Sequence, residues 1–219
     1  MSNNLTNEDE QLEKISDWWN SYKYILFFAL IGVVVAILGW DYLKKSNASE
    51  SLSAAYDYQD FLKNYILEDS TLNGSLEQEA KKIKVNYKDY GYADLASLHL
   101  AKYYVSNKKL LEAETELRWI LERSKGTWVK SEGPLGLISR ERLSRLLLSQ
   151  DRSQEVLDLI GAAENMNSGL YELQADAYLA QERIIEAKIS YLQALDLNQS
   201  PLLKNLISIK IADLDTSNE

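Results

Sequence analysis

Hydrophobic positions along the chain fall into three regimes. Near the amino end they recur at helical spacing, with Leu12, Ile15, Trp19 and Tyr22 on one face. That pattern predicts a short amphipathic helix. Asn7, with Glu10 three positions on, has the spacing of a capping box at its start. The second regime is an unbroken apolar run, YILFFALIGVVVAILGW, from Tyr24 to Trp40. At the helical rise it covers about 26 Å, the low end of what the hydrocarbon core requires. Tyr22, Trp40 and Tyr42 place aromatic rings at its two ends, where headgroups would lie.

The run reads as an uncleaved membrane helix. A signal peptide begins with a short basic segment, whereas here a long acidic tail comes first. A buried core helix is the other rival, but nothing else in the chain is as apolar. Within the run, Ala29, Gly32, Ala36 and Gly39 recur at helical spacing and form a ridge of small residues. Such a ridge lets a second membrane helix approach closely. Lys14 and Lys23 precede the run and Lys44 and Lys45 follow it, so positive charge does not select an orientation.

The third regime follows a short polar linker, 43–48, and reads as helix pairs. Tyr171, Ala175, Tyr178, Ala187, Tyr191 and Ala194 follow the tetratricopeptide pattern. In that pattern small residues let the two helices of a hairpin pack closely, and aromatic residues fill the space between hairpins. Ala101, Tyr104, Ala113, Leu117 and Ile120 fit the same frame, next to Leu100. A degenerate copy follows at Ser144, Leu147, Val156 and Ile160, after Leu143. The wide gap between the first two copies predicts an insertion, a long loop from Lys125 to Gly136 that contains Trp128 and Pro134. A weaker first pair spans 49–65 and 75–87. Leu202, Leu203, Leu206, Ile209 and Ile211 predict a closing helix that covers the last repeat.

The expected fold is all-α: an N-terminal transmembrane helix followed by a tetratricopeptide-like helical-hairpin superhelix. Its parts are a tail, 1–23, with a short amphipathic helix; a membrane helix, 24–42; a linker, 43–48; and a repeat domain, 49–219, with a C-terminal capping helix. The first helix of each pair should line the concave face. Outward positions there are the protein-binding candidates: Lys102 and Tyr103, Arg140 and Arg145, Glu172 and Asp176.

Composition narrows the function class. Asp and Glu number 33 against 24 Lys and Arg, for a net charge of −9. An acidic chain with scattered cations is a poor nucleic-acid binder. There is no cysteine and one histidine, His99, so an ordinary zinc site cannot be assembled. No phosphate loop, nucleophile elbow or metalloprotease motif is present. No catalytic residue, metal or cofactor is therefore expected. Glu112 and Glu116, one turn apart, and the cluster Lys81, Lys82, Lys84 and Lys88 are read first as solvated faces. Contact of those lysines with anionic headgroups is the alternative. The residues alone thus define an anchored protein-binding domain. An envelope scaffold for cell-wall or outer-membrane assembly and an envelope hydrolase remain as alternatives.

The order of parts is more specific. Gln11-Leu12-Glu13 leads to Trp18-Trp19, a single membrane helix ends in Gly39-Trp40, and Ala54-Ala55-Tyr56 opens the domain. Tyr92-Ala93-Asp94-Leu95-Ala96-Ser97-Leu98-His99-Leu100-Ala101 follows. This arrangement resembles the YfgM family, the ancillary subunit of the bacterial Sec translocon. The resemblance implies an inner-membrane protein with 1–23 in the cytoplasm and the repeats in the periplasm. It also implies three partners: the Sec translocon, a membrane-anchored periplasmic prolyl-isomerase-like chaperone, and newly translocated polypeptides passed between them. Two departures stand out: the weak third repeat, and Gln174 where the repeat usually carries Leu.

Overall fold

Two prolines in the whole chain leave long stretches in which nothing interrupts a helical hydrogen-bond ladder. In the computed structural model, which describes residues 5–67, 73–124, 133–163 and 165–216, every described regular element is a helix. In order they are α1 (Leu5–Leu67), α2 (Asn73–Asn86), α3 (Gly91–Ser106), α4 (Leu110–Ser124), α5 (Pro134–Leu148), α6 (Ser153–Gly161), α7 (Ser168–Leu179), α8 (Ile184–Leu197) and α9 (Pro201–Thr216). The chain divides into two units, 1–53 and 54–219.

In the first unit the helix starts at Leu5, so Asn7 lies inside α1 and does not cap it. The expected linker, 43–48, is helical as well. The sequence explains this: neither Gly nor Pro occurs between Trp40 and Gly74, and Leu, Lys and Ala in that stretch favour helix. Ser21–Leu38 is the one segment among the described residues long and apolar enough to cross a membrane, and none of it is buried by protein. The described side chains from Phe27 to Leu38 are all exposed. Such a surface fits lipid as its solvent, and a core helix would show the opposite.

In the second unit the helices pair as hairpins: the end of α1 with α2, then α3 with α4, α5 with α6, and α7 with α8. Asn64 donates to Glu79 at 2.9 Å and ties α1 to α2. Tyr58 meets Tyr92 of α3 with ring centroids 5.5 Å apart. Neighbouring helices then pack in chain order, and α5 also touches α7 across the stack.

The turn inside each of the last three hairpins is the same. Lys108, Asp151 and Glu182 adopt left-handed backbone, with φ of 58°, 58° and 59°. The next amide reaches back over the turn each time: Lys109 to the carbonyl of Tyr104, Arg152 to Leu147, Arg183 to Tyr178, at 2.8, 3.1 and 3.0 Å. The left-handed residue itself donates to Val105, Leu148 and Leu179 respectively. This pair of bonds is the Schellman motif, which satisfies the last carbonyls of the first helix. The degenerate copy at Ser144 and Leu147 therefore has the geometry of a full repeat.

Packing follows the repeat frame. Ala101, Ala113, Ala175, Ala187 and Ala194 are buried, as are Tyr104 and Tyr191. Ser144 occupies the small-residue position of the degenerate copy. It is fully buried, and its hydroxyl has no hydrogen-bond partner. Gln174 is accommodated because its side-chain oxygen accepts from the Ser190 hydroxyl of α8 at 3.1 Å. A Leu would leave that hydroxyl without this partner.

Two expectations need correction here. Pro134 begins α5 and Gly136 is buried within it, so neither belongs to a loop; Trp128 and the rest of 125–132 lie outside the described residues. The closing helix exists as α9, with Pro201 at its first position. Its buried face, however, is Ile207 and Leu214, with Ile211 partly covered, while Leu202, Leu203, Leu206 and Ile209 are exposed.

Candidate functional site

The repeat geometry opens a cleft of about 420 Å³ between α3, α4 and α5. Its floor is apolar: Ala101 and Val105 of α3, Leu110 and Leu117 of α4, and Leu146 of α5. Its rim is basic: Lys102, Arg142 and Arg145, with Ser149. Helical spacing produces this arrangement. Arg142, Arg145, Leu146 and Ser149 are three and four residues apart and share one face of α5. On α3, Lys102 stands beside Ala101 and Val105 on the side turned to α5.

The three rim cations are exposed. Arg145 lies 3.5 Å from Glu141, and Lys102 stands over the Tyr65 ring, 5.9 Å from its centroid. Among the described residues no carboxylate lines the cleft. His99 lies close by, half-buried against Tyr65 at 4.8 Å between ring centroids. Burial lowers its pKa, and the charges of Arg142 and Lys102 lower it further. The rim is thus a place of positive potential in an acidic protein.

The sequence candidates separate on this geometry. Lys102 and Arg145 come together on the rim. Tyr103 lies outside the cleft, partly buried against the core. Arg140, expected on the outward face, is corrected: it is only 4% exposed, and its guanidinium donates to the carbonyl of Leu159 in α6. It ties one hairpin together and cannot reach a ligand.

Glu172 and Asp176 are also engaged within the fold. Lys210 of α9 donates to Glu172 at 2.8 Å and to Asp176 at 2.9 Å, and the Tyr191 hydroxyl donates to Asp176. Burial opposes the Lys210 charge, but the two carboxylates more than offset it and its pKa rises. Both acids hold the closing helix. Arg142, Val105 and Leu110 were not singled out in the sequence. Their common location depends on how three helices meet, which no single period along the chain records.

Other charged groups are structural. Glu114, 7% exposed, accepts from Arg118 of α4 at 2.7 Å and from Arg152 of the next hairpin at 2.6 Å. Arg152, above all, holds the Glu114 carboxyl below its ordinary range against the opposing effect of burial. Within the lysine cluster, Lys84 bonds Glu116 at 2.7 Å and stands 4.4 Å over the Trp119 ring, and Lys82 pairs with Asp57 at 3.0 Å. These contacts use two of the four lysines, and also Glu116, in packing. No group of three or more His, Cys, Asp and Glu side chains arranged to hold a metal occurs among the described residues.

In the first unit, Ala29, Gly32 and Ala36 are exposed on α1, and a side chain built at Gly32 would meet nothing within 4 Å. The ridge is open to a partner. Gly39 is helical, but its surroundings lie outside the described residues.

An array of helical hairpins closed by a final helix, the last three of them turned by the same left-handed motif, defines a tetratricopeptide-like protein. A family described as a tetratricopeptide repeat-like domain matches residues 16–216, and the chain belongs to it. The resemblance to the YfgM family holds as well. A protein of Aggregatibacter actinomycetemcomitans called ancillary SecYEG translocon subunit is 29% identical, with 94% of this chain and 97% of the relative covered. Proteins with the same description from Escherichia coli strain K12 and Neisseria gonorrhoeae are 25% and 23% identical, over 95% and 94% of this chain and 97% of each relative. No solved structure matches the chain.

Proposed function

We propose that this protein is a membrane-anchored, non-catalytic interaction subunit that associates with the Sec translocon. Residues 24–42 are its anchor, with 1–23 in the cytoplasm and 49–219 as a periplasmic repeat domain. It helps pass newly translocated polypeptides to periplasmic chaperones, among them a membrane-anchored prolyl-isomerase-like protein. One observation carries the reading: the relatives called ancillary SecYEG translocon subunit align with this chain almost end to end, anchor and repeats together. Similarity confined to the hairpins would support a repeat fold and no more, because such folds serve many tasks.

Affinity purification of the tagged full-length protein from mild detergent extracts tests the proposal. The translocon subunits and the chaperone should co-purify. Recovery of cell-wall synthases without translocon subunits would replace the proposal with the scaffold alternative.

A further inference from the structure

The cleft between α3, α4 and α5 combines an apolar floor with a basic rim. Its floor is an apolar surface left open by the hairpins, with Val105 45% exposed. Among the described residues its rim carries three exposed cations and no carboxylate, although acids outnumber bases by 33 to 24 in the chain. Arg142 makes no ion pair among the described residues, and the pair between Arg145 and Glu141 is long at 3.5 Å. Elsewhere on the domain, cations such as Lys84, Arg152 and Lys210 sit within 2.6 to 2.8 Å of a carboxylate of the fold. The rim cations are therefore available to an outside anion at small cost in broken internal pairs.

We propose that this cleft binds an extended segment of another polypeptide that carries an apolar side chain flanked by Asp or Glu. The apolar side chain fills the floor over Val105, Leu110 and Leu146, and the neighbouring carboxylates meet Lys102 and Arg142. Charge complementarity selects the partner. A basic segment would face three like charges, and a purely apolar one would leave the rim unpaired. Arginine's planar fork suits a carboxylate, and the fixed position of Arg142 and Arg145 on one face of α5 lowers the ordering cost of capture. The proposal rests on the reading of the repeat domain as a protein-binding module. It does not depend on association with the translocon.

The test uses the full-length protein in detergent micelles and three fluorescent peptides, read by anisotropy. One has Leu flanked by Asp and Glu, the second has Asn and Gln in their place, and the third has Lys. The acidic peptide should bind at least about tenfold more tightly than its amide counterpart, weaken with added salt, and exceed the Lys peptide by more. The double variant K102E, R142E should lose that preference. Val105→Asp should weaken all three peptides, with unchanged helical content and unchanged recovery of translocon subunits.

Retained translocon recovery with lost peptide preference separates this cleft from the translocon reading. Equal binding of the acidic and amide peptides overturns the proposal, as does a preference that survives the double variant or no peptide binding at all. Retention on phosphatidylglycerol vesicles that the double variant abolishes, without peptide discrimination, would assign the rim to a lipid surface and also overturn it.

Discussion

At the level of single residues, the fold depends on a few polar groups placed where the sequence pattern expects none. Glu114 is the clearest. It is nearly buried, yet it links two successive hairpins through Arg152. Replacing it with Gln keeps the shape and removes the charge, leaving Arg152 with Glu155 as its remaining carboxylate partner. Full-length protein should lose about 1–2 kcal/mol in urea unfolding at neutral pH, a moderate value because Arg152 is 31% exposed and rehydrates. The sign of the pH effect follows from the lowered pKa of Glu114. Its contribution is complete above the ordinary glutamate value of 4.5 and is lost as pH falls through the folded value. The gap between wild type and Glu114→Gln should therefore be full at pH 6 and narrow below about pH 4. A gap that widens on acidification would assign the stabilisation to another group. None of this was legible in the sequence. Glu114 differs from its neighbours Glu112 and Glu116 only in pointing toward the next hairpin, and that depends on the stacking of units.

At the level of elements, the hairpins were legible because their period is written in small and aromatic residues. Ala175, Ala187 and Tyr191 bury as their spacing requires. The turns were less legible, since Lys108, Asp151 and Glu182 carry no sequence mark of a left-handed position. Each bears a side chain where glycine is the ordinary choice, at a cost of about 1 kcal/mol. Asp151→Gly should stabilise the domain by about 0.5–1 kcal/mol, the relief of strain being partly offset by the freer unfolded chain. Thermal or urea unfolding measures it, and a destabilised variant would show that the Asp151 side chain contributes more than the turn costs. For α1, the ridge of Ala29, Gly32 and Ala36 carries its own expectation. Gly32→Leu with Ala36→Leu should preserve insertion, because Leu is favourable in the bilayer, and should reduce recovery of translocon subunits several-fold. Unchanged recovery would leave the ridge without a role in association.

At the level of the whole molecule, the anchor and the repeats were legible for different reasons. An uninterrupted apolar run is read by length alone, and the hairpins are read by a repeating frame. The continuity of α1 through 43–48 is not legible from polarity, because a polar stretch reads as a linker although polar residues form helix readily when Gly and Pro are absent. The cleft was half legible: Lys102 and Arg145 could be placed on outward faces, but Arg140 could not be told from Arg142. Two positions along a helix turn a side chain by about 200°, which exchanges burial for exposure. Topology is the expectation that belongs to this scale. Protease added to spheroplasts should digest the repeat domain and leave a short protected fragment with the amino tail. Protection of the whole domain would invert the orientation. The three matching turns have a consequence for how such a chain can change over generations. Each turn restarts the register of its own hairpin, so residues added or lost between hairpins do not shift the packing frame beyond them. Length variation should accumulate in the segment between α4 and α5, whereas a single deletion inside Lys108–Ala113 or Glu182–Ala187 should be purged.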